Sequence, residues 1–121
     1  MQKRKLQMAV MALVFLAGCK QAVSVPDLLI GEWRTEAPKY ADRSLVITSD
    51  QLIFGTGNGN VDVKRIVRVD ELREEQGISY TIYYGNPGEP EYRLILCYEE
   101  RGGGVIRLKN QNQIEWTKGG L

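Results

Sequence analysis

The chain has 121 residues, 43% of them hydrophobic and 26% charged, with a formal net charge of +1 and no histidine. That length supports one modest domain with one core, and the balanced charge offers no basic patch for nucleic acid. The missing histidine excludes Ser-His-Asp and Cys-His catalysis within the chain, and every metal motif that needs an imidazole.

The first segment has three parts. Lys3, Arg4 and Lys5 form a positive head, and Leu6 to Ala17 form an apolar stretch of the length of an export-signal core. The stretch is too short to remain in a bilayer as a spanning anchor. It closes on Leu16-Ala17-Gly18-Cys19, after which Lys20, Gln21, Ser24, Pro26 and Asp27 end the apolar run at once. An apolar residue, two small residues and a cysteine in that register resemble the lipobox of bacterial lipoproteins. The resemblance implies removal of residues 1–18 as a signal peptide, a diacylglycerol on the Cys19 thiol, and acylation, typically by palmitate, of the freed amine. Two or three chains anchor stably where one is marginal. In enterobacteria-like sorting an aspartate after the cysteine retains a lipoprotein in the inner membrane. Lys20 does not match that pattern, which favours the outer membrane, facing the periplasm, in a host with two membranes.

Without the signal the charge changes sign. Three of the 16 basic residues and none of the 15 acidic ones precede Cys19, so the remainder carries 13 against 15, a net of −2. Commitment of Cys19 to lipid leaves Cys97 alone and rules out an internal disulfide. Cys97 falls in the strand-like run Arg93 to Tyr98, where a free cysteine is expected as a small buried hydrophobe.

Residues 19–27 read as the lipidated cysteine and a brief polar tether, and residues 28–121 as one β domain. Leu28 to Arg34 is a turn feeding a strand around Trp33, limited by Pro38. Leu45 to Thr48 and Gln51 to Phe54 form a hairpin across Ser49-Asp50, and Gly55 to Asn60 is a glycine-rich loop. From Val61 to Val69 the valines at 61, 63, 67 and 69 share one parity, and Asp62, Lys64, Arg68 and Asp70 the other. Arg65 interrupts the apolar face, which calls for a bulge near Lys64-Arg65 or a wet rim position. The charged run 70–77 reads as a solvated turn. Ile78 to Tyr84 alternates with period two, with Ile78, Tyr80, Ile82 and Tyr84 on one face. After the turn at Gly85 to Pro90, Tyr92, Leu94, Leu96 and Tyr98 line one face of the next strand, and Arg93, Ile95, Cys97 and Glu99 the other. Strands over Val105 to Lys109 and Gln113 to Thr117 complete the chain, with Ile114 and Trp116 inward.

Seven or eight short strands on short loops favour antiparallel neighbours. The fold class is therefore all-β, a small antiparallel up-and-down barrel, because rolling the sheet removes its edges; a β-sandwich is the alternative. Gly31-Glu32-Trp33, just before the meander, resembles the Gly-x-Trp signature of lipocalins and of smaller lipocalin-like bacterial lipoproteins. In those families the glycine allows close packing at the barrel's closed end and the tryptophan plugs it, roles that fall here to Gly31 and Trp33. Arg107 and Lys118 are the candidates for the basic residue stacked on the tryptophan.

Chemistry is sparse. Glu99 and Glu100 are adjacent and so point to opposite faces of a strand, which makes no acid/base pair. No metal site, cofactor or catalytic residue is expected. The candidate pocket residues are Trp33, Tyr80, Tyr84, Tyr92, Leu94, Tyr98 and Trp116, with hydroxyls able to orient an apolar ligand. Tyr83 and Arg93, on the opposite face, are the candidate surface contacts. The residues alone favour a noncatalytic lipoprotein, bound to the membrane by its lipid, that meets envelope proteins through the barrel's outer surface, with the interior filled by its own side chains. The alternative is a lipocalin-like carrier or sensor of a small apolar ligand.

Overall fold

Alternation of apolar and polar side chains builds nine strands: β1 (Gln21–Val23), β2 (Gly31–Arg34), β3 (Ser44–Ile47), β4 (Gln51–Gly57), β5 (Asn60–Glu74), β6 (Gly77–Tyr84), β7 (Tyr92–Glu99), β8 (Val105–Leu108) and β9 (Trp116–Lys118). The computed structural model describes residues 21–75 and 77–118; the signal segment 1–18 and Cys19 lie outside them. Among the described residues the helical content is three 3₁₀ turns of three residues each.

All pairings are antiparallel. Strands β2 to β9 pair in the order β5-β4-β3-β2-β9-β8-β7-β6, and β5 pairs again with β6, so the sheet closes into the expected barrel, of eight strands. Strand β5 pairs with β4 over Asn60 to Arg65 and with β6 from Ile66 to Glu74. Strand β1 takes the side of β5 that β4 leaves, with Gln21 opposite Glu71 and Val23 opposite Val69. Part of the predicted tether is thus a strand of the sheet.

One end of the barrel is sealed. Leu29, in the 3₁₀ turn Asp27–Leu29, is fully buried, and its carbonyl accepts a 2.9 Å hydrogen bond from Trp33 Nε1. Lys118 pairs with Trp33 across β2 and β9 and places its Nζ 5.4 Å from the centre of the indole ring, within cation–π range. Gly31 has φ of +147°, and a Cβ there would meet Lys118 Cδ and Cε at 3.3 Å. The backbone angle therefore favours glycine, and the lysine stem that passes over it leaves little room for a side chain. Lys118, and not Arg107, is the basic residue against the tryptophan. Above this seal the inward side chains of Leu45, Ile47, Leu52, Val69, Tyr80, Ile82, Leu96, Tyr98, Ile106 and Trp116 form the core.

Several expectations change. Strand β4 continues through Gly57, and the turn of the hairpin is Asn58-Gly59 alone, both at positive φ (58° and 77°), as a tight two-residue hairpin turn demands. The charged segment from Asp70 to Glu74 is strand, because each of its residues pairs with β6. The last strand begins at Trp116, and Gln113 and Ile114 belong to the preceding turn. Cys97 is exposed, because it shares the outward parity of Arg93, and the strand's alternation outweighs the tendency of cysteine to be buried.

The largest correction concerns β5. The register against β6 shifts between Ile66 and Arg68, two residues beyond the expected bulge position, and parity reverses there. Val69 is inward beyond the shift, but Val61, Val63 and Val67 are exposed (63%, 41% and 54%). Asp62, Lys64 and Ile66 take the inner parity in their place, and Arg65 is outside. Where β6 stops and β5 runs on, Asn86 takes over the ladder: Arg65 N donates to its Oδ1 (3.0 Å), and its Nδ2 donates to the Val63 carbonyl (3.1 Å). One amide side chain thus covers part of an edge that would otherwise be open to another strand.

Trp33→Ala is expected to cost about 3–5 kcal/mol in a guanidinium unfolding titration. Val61→Thr, on the outer wall, should stay within about 0.5 kcal/mol. Equal effects of the two changes would contradict the assignment of Trp33 to a packed seal.

Candidate functional site

The barrel is not filled to its other end. Among the strand ends of β3 to β9 at this side and the 3₁₀ turns Pro38–Tyr40 and Lys109–Gln111 lies an open cleft of about 510 Å³, within the range usual for small-molecule sites. Two aromatic groups wall it. Tyr40 and Trp116 have ring centres 6.4 Å apart at 44°. Phe54 and Tyr84 are 5.6 Å apart at 49°, and Tyr84 and Tyr92 5.6 Å apart at 34°. Both spacings are in the favourable range for tilted aromatic pairs. Leu45, Leu94 and Leu108 add aliphatic surface, while Ser44, Thr56 and Gln111 add neutral polar groups.

The charged groups of the cleft come from its rim. Asp62 and Lys64 are there because the β5 register shift turns even-numbered positions inward. The Lys64 side chain is only 17% exposed, with Nζ 3.0 Å from Glu89 Oε1 and 3.8 Å from Asp62 Oδ1. Asn86 N also donates to Glu89 Oε1, at 3.2 Å. The Glu89 hydrogen bond holds the Lys64 ammonium above the ordinary lysine range, and the same bond, helped by the Asn86 amide, holds the Glu89 carboxyl below the ordinary glutamate range. Burial pushes the Tyr84 hydroxyl upward, so it stays protonated and able to donate at neutral pH. Arg43, the remaining cation, lies 3.6 Å from Asp42.

Two cleft residues carry buried polar atoms with no hydrogen-bond partner among the described residues: the donor Nε1 of Trp116 and the acceptor Oε1 of Gln111. Trp116 as a whole is 5% exposed.

Of the seven pocket residues expected from sequence, Tyr84, Tyr92, Leu94 and Trp116 line the cleft. Trp33, Tyr80 and Tyr98 do not. Trp33 belongs to the seal and Tyr80 is 1% exposed in the core. Tyr98 packs near the closed end, where its hydroxyl donates to Glu100 Oε1 at 3.2 Å. Tyr80 and Tyr98 have the inward parity expected but sit too far toward the sealed end. Tyr83 and Arg93 are register partners on the outer wall. The Arg68 guanidinium lies 3.8 Å from the centre of the Tyr83 ring and occupies that surface, while Arg93 is exposed. Arg107 lies outside, in an alternating cluster with Glu99, Arg101 and Glu115.

Asp62, Lys64, Arg43, Tyr40 and Gln111 were not expected in the site. For Asp62 and Lys64 a signal existed in the parity break at Arg65. Tyr40 and Gln111 lie in 3₁₀ turns, where alternation gives no direction. Among the described residues no three carboxylate or thiol side chains gather as metal ligands. No family model, curated protein or solved structure matches the chain.

The Lys64–Glu89 pair generates a pH dependence with a definite sign. A carboxyl whose folded value lies below its ordinary 4.5 stabilises the fold at higher pH, and that contribution is lost as pH falls through the folded value. Titration of the Glu89 carboxyl carbon by NMR should give an inflection below 4.5, moving up toward it in Lys64→Met. An inflection at or above 4.5 in the unsubstituted protein would contradict the pairing.

Proposed function

We propose that the protein is a noncatalytic lipoprotein of the cell envelope that takes a small, largely apolar molecule into the open end of a lipocalin-like barrel, as a carrier or sensor. The observation that carries this reading is the aromatic-walled cleft, open at one end of a barrel sealed at the other. The arrangement of Gly31, Trp33 and Lys118 supports the likeness to lipocalins, since a plugging tryptophan, a close-packed glycine and a stacked basic side chain serve that purpose there.

The topology also orients the site. Strand β5 runs from the cleft, at Asp62 and Lys64, toward the sealed end, at Glu74; β1 runs the opposite way and starts at Gln21 beside Glu71. The chain therefore enters the barrel on the sealed side. Gln21 is two residues from Cys19, a reach of at most about 7 Å. Lipid on Cys19 would set the sealed end against the bilayer and turn the mouth toward the aqueous space. In this reading the ligand arrives from solution or from a facing protein, and the bilayer acts as the mounting surface.

A second reading, contact with an envelope protein through the outer wall, is favoured by the exposed Val61, Val63 and Val67 on β5. Apolar side chains grouped on one outer strand are a feature of interaction surfaces.

The cleft is tested with N-phenyl-1-naphthylamine, a neutral probe that brightens in apolar sites, titrated into the chain beginning at Lys20. Saturable binding at one site per barrel is expected, weakened at least tenfold by Leu94→Trp, which fills the cleft, and unchanged by Val61→Thr. Absence of saturable binding, or binding indifferent to Leu94→Trp, would overturn the proposal.

A further inference from the structure

Strand β5 has fewer backbone partners near the mouth than further along. Asn60 to Arg65 pair with β4 on one side, and on the other side β6 reaches only to Ile66. In an antiparallel ladder each residue turns its N–H and C=O to the same side, and successive residues alternate. The sides are fixed here. Ile66 N donates to the Asp50 carbonyl beside β4, while Arg65 N and the Arg65 and Val63 carbonyls are taken by Asn86 and Gly85 on the far side. Odd-numbered residues of this stretch therefore face away from β4. Val61 N–H, Val61 C=O and Val63 N–H are left without a partner among the described residues.

The open groups are bordered by apolar side chains. Val61 and Val63 point outward and are exposed. Val63 also ends a row across the outer wall, through its register partner Ile53 and that residue's own partner Val46. Both have the outward parity, since Leu45, Ile47 and Leu52 beside them are buried in the core. A strand edge with free main-chain groups and an apolar outer face is what strand addition uses, the backbone giving affinity and alternate side chains giving specificity. Asn86 sets the length of the site, because it already holds the Val63 carbonyl and Arg65 N.

Resting on the outer-wall reading above, we infer that the β5 edge at Val61 to Val63 docks an extended segment of a partner protein. The segment adds as a short antiparallel strand, like every other pair of this sheet, with apolar β-branched residues opposite Val61 and Val63. Those two residues face β5 with their backbone groups and extend the Val46–Ile53–Val63 row with their side chains. A second copy of the chain would answer the same groups, Val61 against Val61. That two-fold turns the second barrel end over end, whereas in the orientation proposed above both sealed ends rest on one bilayer. A partner arriving from the aqueous side meets no such conflict, because the edge lies at the mouth, where Asp62 between the two valines lines the cleft.

The test uses the full chain, isotope-labelled for NMR, in lipid nanodiscs, with the peptide acetyl-Lys-Thr-Val-Thr-Val-Thr-Lys-amide as probe. Saturable downfield movement of the Val61 and Val63 amide protons is expected. Methylating the two valine nitrogens of the peptide, which face β5 in the added strand, should weaken binding about tenfold, and methylating the central threonine nitrogen, which faces away, should change it less than about twofold. These probes leave the protein unaltered. Val61→Pro removes one edge donor that the β4 ladder does not use, a position where proline is tolerated. It should weaken the unmodified peptide about fivefold while the Asp62 and Lys64 amides keep their protection from exchange. Any other ranking of the two methylated peptides would overturn strand addition. Movement at the Val46 and Ile53 side chains with none at the two valine amides would overturn it while leaving the outer wall a contact surface. An outer wall unmoved by the peptide would overturn both. Association of two chains through the same amides without peptide would put a second copy in the partner's place and equally overturn the inference.

Discussion

Strand β5 is 15 residues long and pairs with β4 along its first half and with β6 along its second, so barrel closure depends on one strand changing neighbours without breaking. The register shift between Ile66 and Arg68 falls at this exchange. Because side chains alternate with period two, a one-residue slip sends every later residue to the other face. Inward positions on β5 are therefore Asp62 and Lys64 near the mouth and Val69 beyond the shift. Charge at the open end and apolar packing below it come from one irregularity in one strand. The same exchange leaves part of β5 unpaired where β6 ends, and Asn86 and Glu89 of the following segment fill that place, one through backbone hydrogen bonds and the other through Lys64.

The two ends of the barrel differ for reasons that reach back to composition. At the sealed end a large ring, a glycine and a lysine stem pack against a buried leucine, and the polar atom of the ring is answered by the leucine carbonyl. At the open end the rings are mostly tyrosines, whose bodies are apolar and whose hydroxyls tolerate a wet rim. Tyr84 and Tyr92 sit near the last turn of their hairpin and extend the core toward solvent without closing it. Small barrels can fill themselves with side chains; this one does so from Trp33 up to the level of Ile82 and Leu96 and no further. Entry of the chain at the sealed side fits that division, since the end nearest the proposed anchor needs strength and the far end needs access.

Much of the fold was legible from sequence where alternation was unbroken. Ile78 to Tyr84 and Tyr92 to Tyr98 have the faces their period-two pattern implies, and short connections implied antiparallel neighbours. Legibility failed where a second preference competed with alternation. The valines at 61, 63 and 67 looked inward by hydrophobicity, yet the shift left them outside, and the charged run from Asp70 to Glu74 looked like a loop, yet all of it pairs with β6 and Asp70 and Glu71 pair with β1 as well. Cys97 was placed by its residue type when the parity of its strand was the stronger guide. Within the site, parity indicated that Tyr80 and Tyr98 point inward but not how high along the barrel they lie. That depends on the stagger of all eight strands, which no local pattern contains. Tyr40 and Gln111 reach the cleft from 3₁₀ turns and were legible from neither period nor composition.

Native mass spectrometry of the full-length protein, purified gently from the cells that make it, tests whether the open end of this barrel holds a small molecule. A reproducible noncovalent mass adduct of small-molecule size is expected at one per barrel, absent from Leu94→Trp prepared in the same way. Bare polypeptide in both preparations, with or without covalent lipid, would contradict it.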